Sequence, residues 1–201
     1  MLFTTTTTTK LVSLGLFAGV AISAPLNLAI PVHPRQNALC FLSGSTVLPA
    51  EVQDAANALA NTITCDTAVK TIGNVPDVTS GAVSFSDINF AASGSTPLQF
   101  ALDTFATANP VADTNLATLQ SQLDVYIATE AGIRSEAGSL AIKVPKFFLA
   151  FQVARVKTAQ GIAITDPGQT VEHLLGKVTK NAGSADKGLL TQVNALSTQL
   201  A

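Results

Sequence analysis

The spacing of apolar residues along the chain predicts a series of amphipathic helices. In residues 112–138, Leu116, Leu119, Leu123, Tyr126 and Ile133 recur three or four positions apart, which places them on one face of an α-helix. Further helices are predicted over residues 48–63, 95–110, 143–157, 168–183 and 184–201. The predicted fold class is therefore mainly all-α, a bundle of five or six helices.

Two of these helices have recognisable starts. Thr96 is a good N-cap and Pro97 suits the first helical position, and Asp113 is predicted to cap the long helix. Glu130 falls in the apolar stripe of that helix. It is interpreted as an exposed residue that pairs with Arg134 one turn on. The alternative is a buried functional carboxylate.

The stretch "KVPKFFLAFQVARVK", residues 143–157, is apolar on two sides of a helical wheel, with Lys143, Lys146 and Lys157 in a narrow band between them. A helix that is apolar nearly all round is usually buried in a core. Its uncharged run of eight residues is far shorter than the roughly 20 that a membrane span needs. We therefore expect a central helix whose lysine stems extend outward to water.

Residues 66–96 differ from the rest in being rich in Gly, Ser, Asn and Pro. The pattern predicts a long ordered loop that holds a short β-hairpin or strand pair. Long loops in compact domains are often functional. The simpler interpretation is that Phe85, Ile88 and Phe90 fill the core.

The N-terminus has the order of features of a secretory signal peptide. A Thr-rich segment ends at Lys10, a 12-residue apolar run follows, and the small residues "AISAP" come next. We predict a signal peptide over residues 1–24, with an uncleaved anchor as the alternative. Residues 25–39 then form an extended Pro-rich arm or a pro-segment, and residues 40–201 form a single helical domain. No later run is long enough for a membrane span, and the expected localisation is extracellular.

Two cysteines, Cys40 and Cys65, remain in this domain. In an oxidising compartment an even pair predicts one disulfide, here between the end of the first helix and the segment before it. Two free buried thiols are the alternative. No histidine lies at ligand spacing from the pair, so no metal site is predicted.

Charge is distributed unevenly along the chain. Residues 25–142 hold ten acidic and three basic residues, whereas residues 143–201 hold three acidic and seven basic ones. This asymmetry either steers charged partners or draws the two parts together when they pack. Because the basic residues are few and lack interleaved aromatics, nucleic-acid binding is not expected.

No catalytic or cofactor motif is recognisable. The chain has two histidines, His33 in the Pro-rich arm and His173 early in a helix, and it lacks a Gly-x-Ser-x-Gly elbow. With no Trp and a single Tyr, a carbohydrate-active cleft is not favoured. We expect a protein without a cofactor that is not an enzyme; a secreted hydrolase of unrecognised type is the alternative.

The chain resembles small secreted proteins of filamentous fungi. The resemblance rests on "AISAPL", on the cysteine segments "CFLSGSTVLPAEV" and "TITC", and on the long run from "NPVADTNLATLQ" to "FQVARVKTAQG". In architecture it also resembles fungal hydrophobic-surface-binding and cell-wall mannoprotein domains. That resemblance implies a helical bundle that binds lipids or apolar surfaces, and it assigns no binding residues here.

Two functions follow as expectations. The first is a binding protein that holds an apolar small molecule or surface against a phenylalanine cluster; these side chains could equally form a packed core. The second is an effector or interaction protein directed at a host or cell-wall component, acting through the 66–96 loop and the basic C-terminal part. The candidate ligand-binding residues of the first are Phe100, Phe105, Phe147, Phe148 and Phe151.

Overall fold

The computed structural model describes residues 39–200. In this part of the chain it has six α-helices, a three-stranded antiparallel sheet and several short 3-10 turns. The predicted bundle of five or six helices and the predicted β-hairpin are both confirmed. The helices are α1 (Ala50–Ala58), α2 (Pro97–Thr104), α3 (Leu116–Ser135), α4 (Lys143–Ala159), α5 (Val171–Asn181) and α6 (Leu190–Thr198), and the strands are β1 (Ile63–Lys70), β2 (Pro76–Ser80) and β3 (Val83–Ser84).

The signal peptide predicted over residues 1–24 and the arm up to residue 38 lie outside the described residues. Among residues 39–200, no helix is both long enough and apolar enough to span a bilayer.

The prediction for the first helix was wrong at its C-terminal end. The helix ends at Ala58, and Ile63 begins β1 instead of completing the apolar stripe. The N–H groups of Thr62 and Ile63 both donate to the carbonyl of Leu59, which closes a turn before the strand. The segment that follows, "ITCDTAVK", contains several β-branched residues, which favour an extended backbone over a helix.

The sheet occupies the first part of the predicted loop. β1 pairs with β2 in the register Ile63 with Ser80 and Cys65 with Val78. β2 turns into β3 through Gly81, whose φ of +58° is a left-handed conformation that glycine adopts without strain. β2 lies against α3 and is largely buried. The rest of the loop folds into 3-10 turns whose side chains Phe85, Ile88 and Phe90 are buried, as the simpler interpretation predicted.

The disulfide between Cys40 and Cys65 is confirmed, with the two Cα atoms 6.0 Å apart. Its place in the fold differs from the prediction, because Cys65 lies in β1 and not at the end of the first helix. The bond therefore joins the start of the described chain to the sheet.

The segment that follows Cys40 lies directly against the C-terminal part of α3. The N–H of Gly44 donates to Ser135 Oγ (2.9 Å) and the N–H of Thr46 donates to the Ser135 carbonyl (2.8 Å). A Cβ atom on Gly44 would overlap the Ser135 carbonyl, and one on Gly132 would overlap the Phe41 carbonyl. Two backbones approach here more closely than any side chain would allow.

Both ends of α3 differ from the prediction. Its N-cap is Asn115, whose side chain accepts from the N–H of Thr118, and Asp113 instead lies in a 3-10 turn just before it.

At its C-terminus, α3 ends at Ser135, and the following Glu136 accepts hydrogen bonds from the N–H of Asn74. Burial acts to raise the pKa of Glu136, but hydrogen bonds from Ser43 and Asn74 and the charge of Lys70 lower it overall.

Helix α4 is the central helix, as predicted. It packs against α2, α3 and α5, and most of its side chains from Val144 to Val156 are buried. Around it, Tyr126 of α3 contacts Phe85 and Phe105 edge-on, and its hydroxyl donates to the Ile88 carbonyl (2.7 Å). Burial raises the pKa of Tyr126 far above its usual value, so the hydroxyl stays a donor at any ordinary pH.

Candidate functional site

The five predicted ligand-binding phenylalanines divide between core and surface. Phe105, Phe148 and Phe151 are buried in the core, whereas Phe100 and Phe147 are half-buried. Ring contacts join Phe100 to Phe105 at 5.8 Å and Phe148 to Phe151 at 6.0 Å between centroids. Of the five, Phe147 lines a groove on the surface of the domain.

This groove lies between α1, α3, α4 and α5 and has a volume of about 570 Å³. We call it the basic groove, because five Lys or Arg side chains and two Glu side chains line it, an excess of three positive charges. The charged lining residues are Arg134, Lys143, Lys146, Lys177 and Lys180 with Glu51 and Glu130, and His173 lies beside them.

Glu130 is the one buried charged residue of the groove's lining within the described chain, and only 3% of its side chain is exposed. Its two oxygens accept separate cations: Arg134 Nε lies 2.8 Å from Oε1, and Lys146 Nζ contacts Oε2. The predicted pair with Arg134 is therefore present, but the expectation that Glu130 is exposed was wrong. Lys146 supplies the second cation from α4, so the buried carboxylate is ion-paired across the contact between α3 and α4.

The remaining lysines of the groove are differently placed. Within residues 39–200, Lys143, Lys177 and Lys180 have no carboxylate within ion-pair distance. The Lys143 and Lys146 amines lie 6.0 Å and 4.3 Å from the centroid of the Phe147 ring. A ring flanked by two ammonium groups offers apolar contact beside positive charge.

The ion pairs show how far the acidic residues before position 143 pair with the basic residues after it. One ion pair, Lys146–Glu130, joins the acidic part to the basic part, whereas Lys143, Lys177 and Lys180 face the groove without a partner carboxylate in the described residues. Within the described residues, Lys146 is therefore the one basic side chain after residue 142 that is ion-paired to the acidic part of the chain.

His173 is exposed in the first turn of α5, where its N–H donates to the N-capping hydroxyl of Thr170 (3.3 Å). Across the described residues, no cluster of His, Cys, Asp and Glu could hold a metal ion.

The sequence did not single out a second buried pair, Gln152 and Arg155, both 1% exposed. They lie three positions apart on α4 in an otherwise apolar run, so one turn of the helix brings their side chains together. In the sequence, this pair could have been recognised as two long polar residues three positions apart inside the apolar run "FLAFQVARV". The prediction of a central helix over residues 143–157 gave neither residue a role.

The fold and the groove define a small, disulfide-bonded, mainly helical domain with a basic surface site. The chain belongs to the DUF7143 family, a domain of unknown function whose family model matches residues 42–201. No curated protein and no solved structure matches the chain significantly.

Proposed function

We propose that the protein is a non-enzymatic binding protein whose basic groove takes an anionic part of an extracellular partner. The observation that carries the proposal is that Lys143, Lys177 and Lys180 line one groove with no carboxylate within ion-pair distance in residues 39–200. Like charges held together repel each other, and an anion that enters the groove relieves that repulsion.

Binding is better supported than catalysis. Both oxygens of Glu130 already accept cations of the protein, an arrangement typical of a structural carboxylate rather than a general base. Among the described residues that line the groove there is no Ser, Thr or Cys to act as a nucleophile.

The proposed ligand carries carboxylate, sulfate or phosphate groups beside some apolar surface. The amines supply charge, and the half-buried Phe147 supplies an apolar face between Lys143 and Lys146. Secretion, a fungal origin and a host or cell-wall partner are part of the proposal. Their support is the signal-like N-terminus, the Cys40–Cys65 bond and the resemblance to small secreted fungal proteins.

The phenylalanine cluster gives weaker support to an apolar ligand. Phe105, Phe148 and Phe151 contact the core and are at most 1% exposed. A ligand that reached them would have to displace packed side chains, which costs free energy. An anion can enter the basic groove without displacing packed side chains.

Reversing two charges of the groove is expected to weaken anion binding. In Lys177→Glu/Lys180→Glu, affinity for fluorescein-labelled hexaglutamate or hexagalacturonate should fall roughly tenfold or more at low salt, because each reversal replaces attraction by repulsion. Fluorescence anisotropy measures the change. Affinity of the unmodified protein should also fall as salt is raised, since exposed charges are screened.

The matched control is Lys70→Glu/Lys187→Glu, which changes the net charge equally at two exposed lysines outside the groove's lining. This variant should keep most of the affinity. Equal weakening by both double variants would mean that overall charge, and not the groove, attracts the probe, and it would remove the proposal.

Neutralising the buried carboxylate of Glu130 should strengthen anion binding, whereas reversing the lysine charges should weaken it. In Glu130→Gln the charges of Arg134 and Lys146 are no longer balanced, so affinity for the same probes should rise roughly three- to tenfold. Circular dichroism and thermal unfolding check that the fold is kept. A folded Glu130→Gln variant with unchanged or weaker binding would place the anion outside the groove.

A further inference from the structure

A second cleft, of about 690 Å³, lies on another part of the domain. Its lining comes from α2, α4, α6 and the segment of residues 106–111, and it shares no lining residue with the basic groove. Gln152 and Arg155, the buried polar pair of α4, belong to this lining.

The guanidinium of Arg155 is held by neutral groups only. Nη1 donates to Gln152 Oε1 (2.6 Å) and to Thr107 Oγ1 (3.3 Å), and Nη2 donates to the Gln199 carbonyl (2.7 Å). The amide of Gln152 is itself fixed, because its nitrogen donates to the Phe105 carbonyl (2.8 Å). The guanidinium group of Arg155 is therefore held in one orientation at the cleft.

Two of its donors are left over. A guanidinium has five N–H groups, and three of them are used in these bonds. The Nε–H is buried and has no partner among residues 39–200, and the second Nη2–H is also unused. Nε and Nη2 share one edge of the planar group, the edge that a carboxylate binds with two parallel hydrogen bonds.

Among residues 39–200, the charge of Arg155 also has no counter-ion, because no Asp or Glu of this range lies within ion-pair distance of it. Burying a charge without a partner costs free energy, which is why such charges are usually paired. The same burial lowers the pKa of Arg155.

The rest of the lining limits what an anion there could look like. Leu102, Val111 and Leu196 supply apolar walls. Asp103, exposed and hydrogen-bonded to Gln99 Nε2 (2.8 Å), adds a negative charge at the cleft. A ligand with one carboxylate and a compact apolar body fits this combination, whereas Asp103 would repel a second carboxylate.

We propose that this cleft binds a small monocarboxylic acid. The side chains that cover Nε move aside, the carboxylate takes the Nε and Nη2 edge of Arg155, and the apolar body lies against Leu102, Val111 and Leu196. The site is separate from the basic groove. It gives the protein a small-molecule ligand in addition to the proposed anionic partner.

Nitrogen-15 NMR of the full chain tests the contact directly. The chain has three arginines, so the Nε–H region of the spectrum holds few signals, and the Arg155→Lys spectrum identifies the one that belongs to Arg155. Titration with sodium benzoate and sodium hexanoate should move that signal downfield, as a charge-assisted hydrogen bond forms. Benzamide, 1-hexanol and sodium chloride at equal concentrations should leave it in place, and succinate should bind at least tenfold more weakly than hexanoate.

Because Arg155 also ties α4 to Gln199, its replacement could unfold the chain, so a second variant carries the test. Ala195→Phe places a ring in the cleft from an exposed position of α6 and leaves Arg155 unsubstituted, and it should weaken benzoate binding at least tenfold. Lys157→Met removes a charge from α4 outside this cleft and should leave binding unchanged.

Three results would overturn the proposal. The first is an Arg155 signal that stays in place with both acids up to about 10 mM, where millimolar affinities would be visible. The second is an equal shift in the Ala195→Phe variant. The third is a benzamide shift of the Arg155 signal as large as the benzoate shift, since the carboxylate would then not be what Arg155 binds.

Discussion

Replacing Phe151 by Ala is expected to lower the free energy of unfolding by about 3–5 kcal/mol. The ring is fully buried in α4, contacts Phe148 and lies 5.8 Å from the guanidinium carbon of Arg155. Its removal loses both the transfer free energy of the side chain and the contacts around the cavity that remains. Urea unfolding of the two proteins, followed by circular dichroism, measures the difference.

Phe151→Ala also tests whether the phenylalanine cluster is a packed core or the lining of a ligand-binding pocket. Phe147→Ala is the matched control, since its half-buried ring faces the basic groove and should contribute only about 1–2 kcal/mol. A loss below about 1 kcal/mol at Phe151 would contradict a packed core, because a ring that borders empty space gives up few contacts. It would revive the prediction that an apolar ligand binds this cluster.

Loss of the Cys40–Cys65 bond has the second-largest expected effect. The bond closes a loop with a sequence separation of 25, and in the chain-entropy model such a cross-link stabilises the fold by roughly 3–4 kcal/mol. Cys40→Ala/Cys65→Ala should therefore unfold at a clearly lower urea concentration than the oxidised protein. The reduced unmodified chain should unfold near the double variant, because both lack the same constraint.

Those two comparisons also control for side-chain effects. If the double variant is much less stable than the reduced chain, the alanines have removed packing as well as the cross-link. An oxidised and a reduced protein with equal midpoints would contradict the prediction, and would mean that contacts such as those between Gly44 and Ser135 hold the segment without the bond.

The elements that the sequence predicted best are those whose apolar spacing is maintained by burial. α3 and α4 appear where their stripes placed them, and the central position of α4 followed from its two apolar faces. The end of α1 was missed because "LANTI" continues an apolar stripe, while Ile63 is in fact the first residue of a strand. Periodicity alone does not distinguish these outcomes in so short a segment.

The candidate sites were predicted less completely, because each gathers residues that are distant in the sequence. The excess of lysines after residue 142 indicated a basic surface, but Arg134, Glu130 and Glu51 join it from the acidic part of the chain. The second ion-pair partner of Glu130, Lys146, comes from the neighbouring helix. The cleft at Arg155 depends on Thr107 and Gln199, which lie 48 and 44 positions away.

The contact between the first described segment and α3 has an evolutionary consequence. At Gly44 and Gly132 a methyl group would overlap the backbone across the contact, so even the smallest substitution forces the two segments apart. We expect relatives in the DUF7143 family that retain this contact to have glycine at both positions. We therefore expect the two glycines, 88 positions apart, to be kept or lost together among relatives, as a joint signature of this N-terminal arrangement.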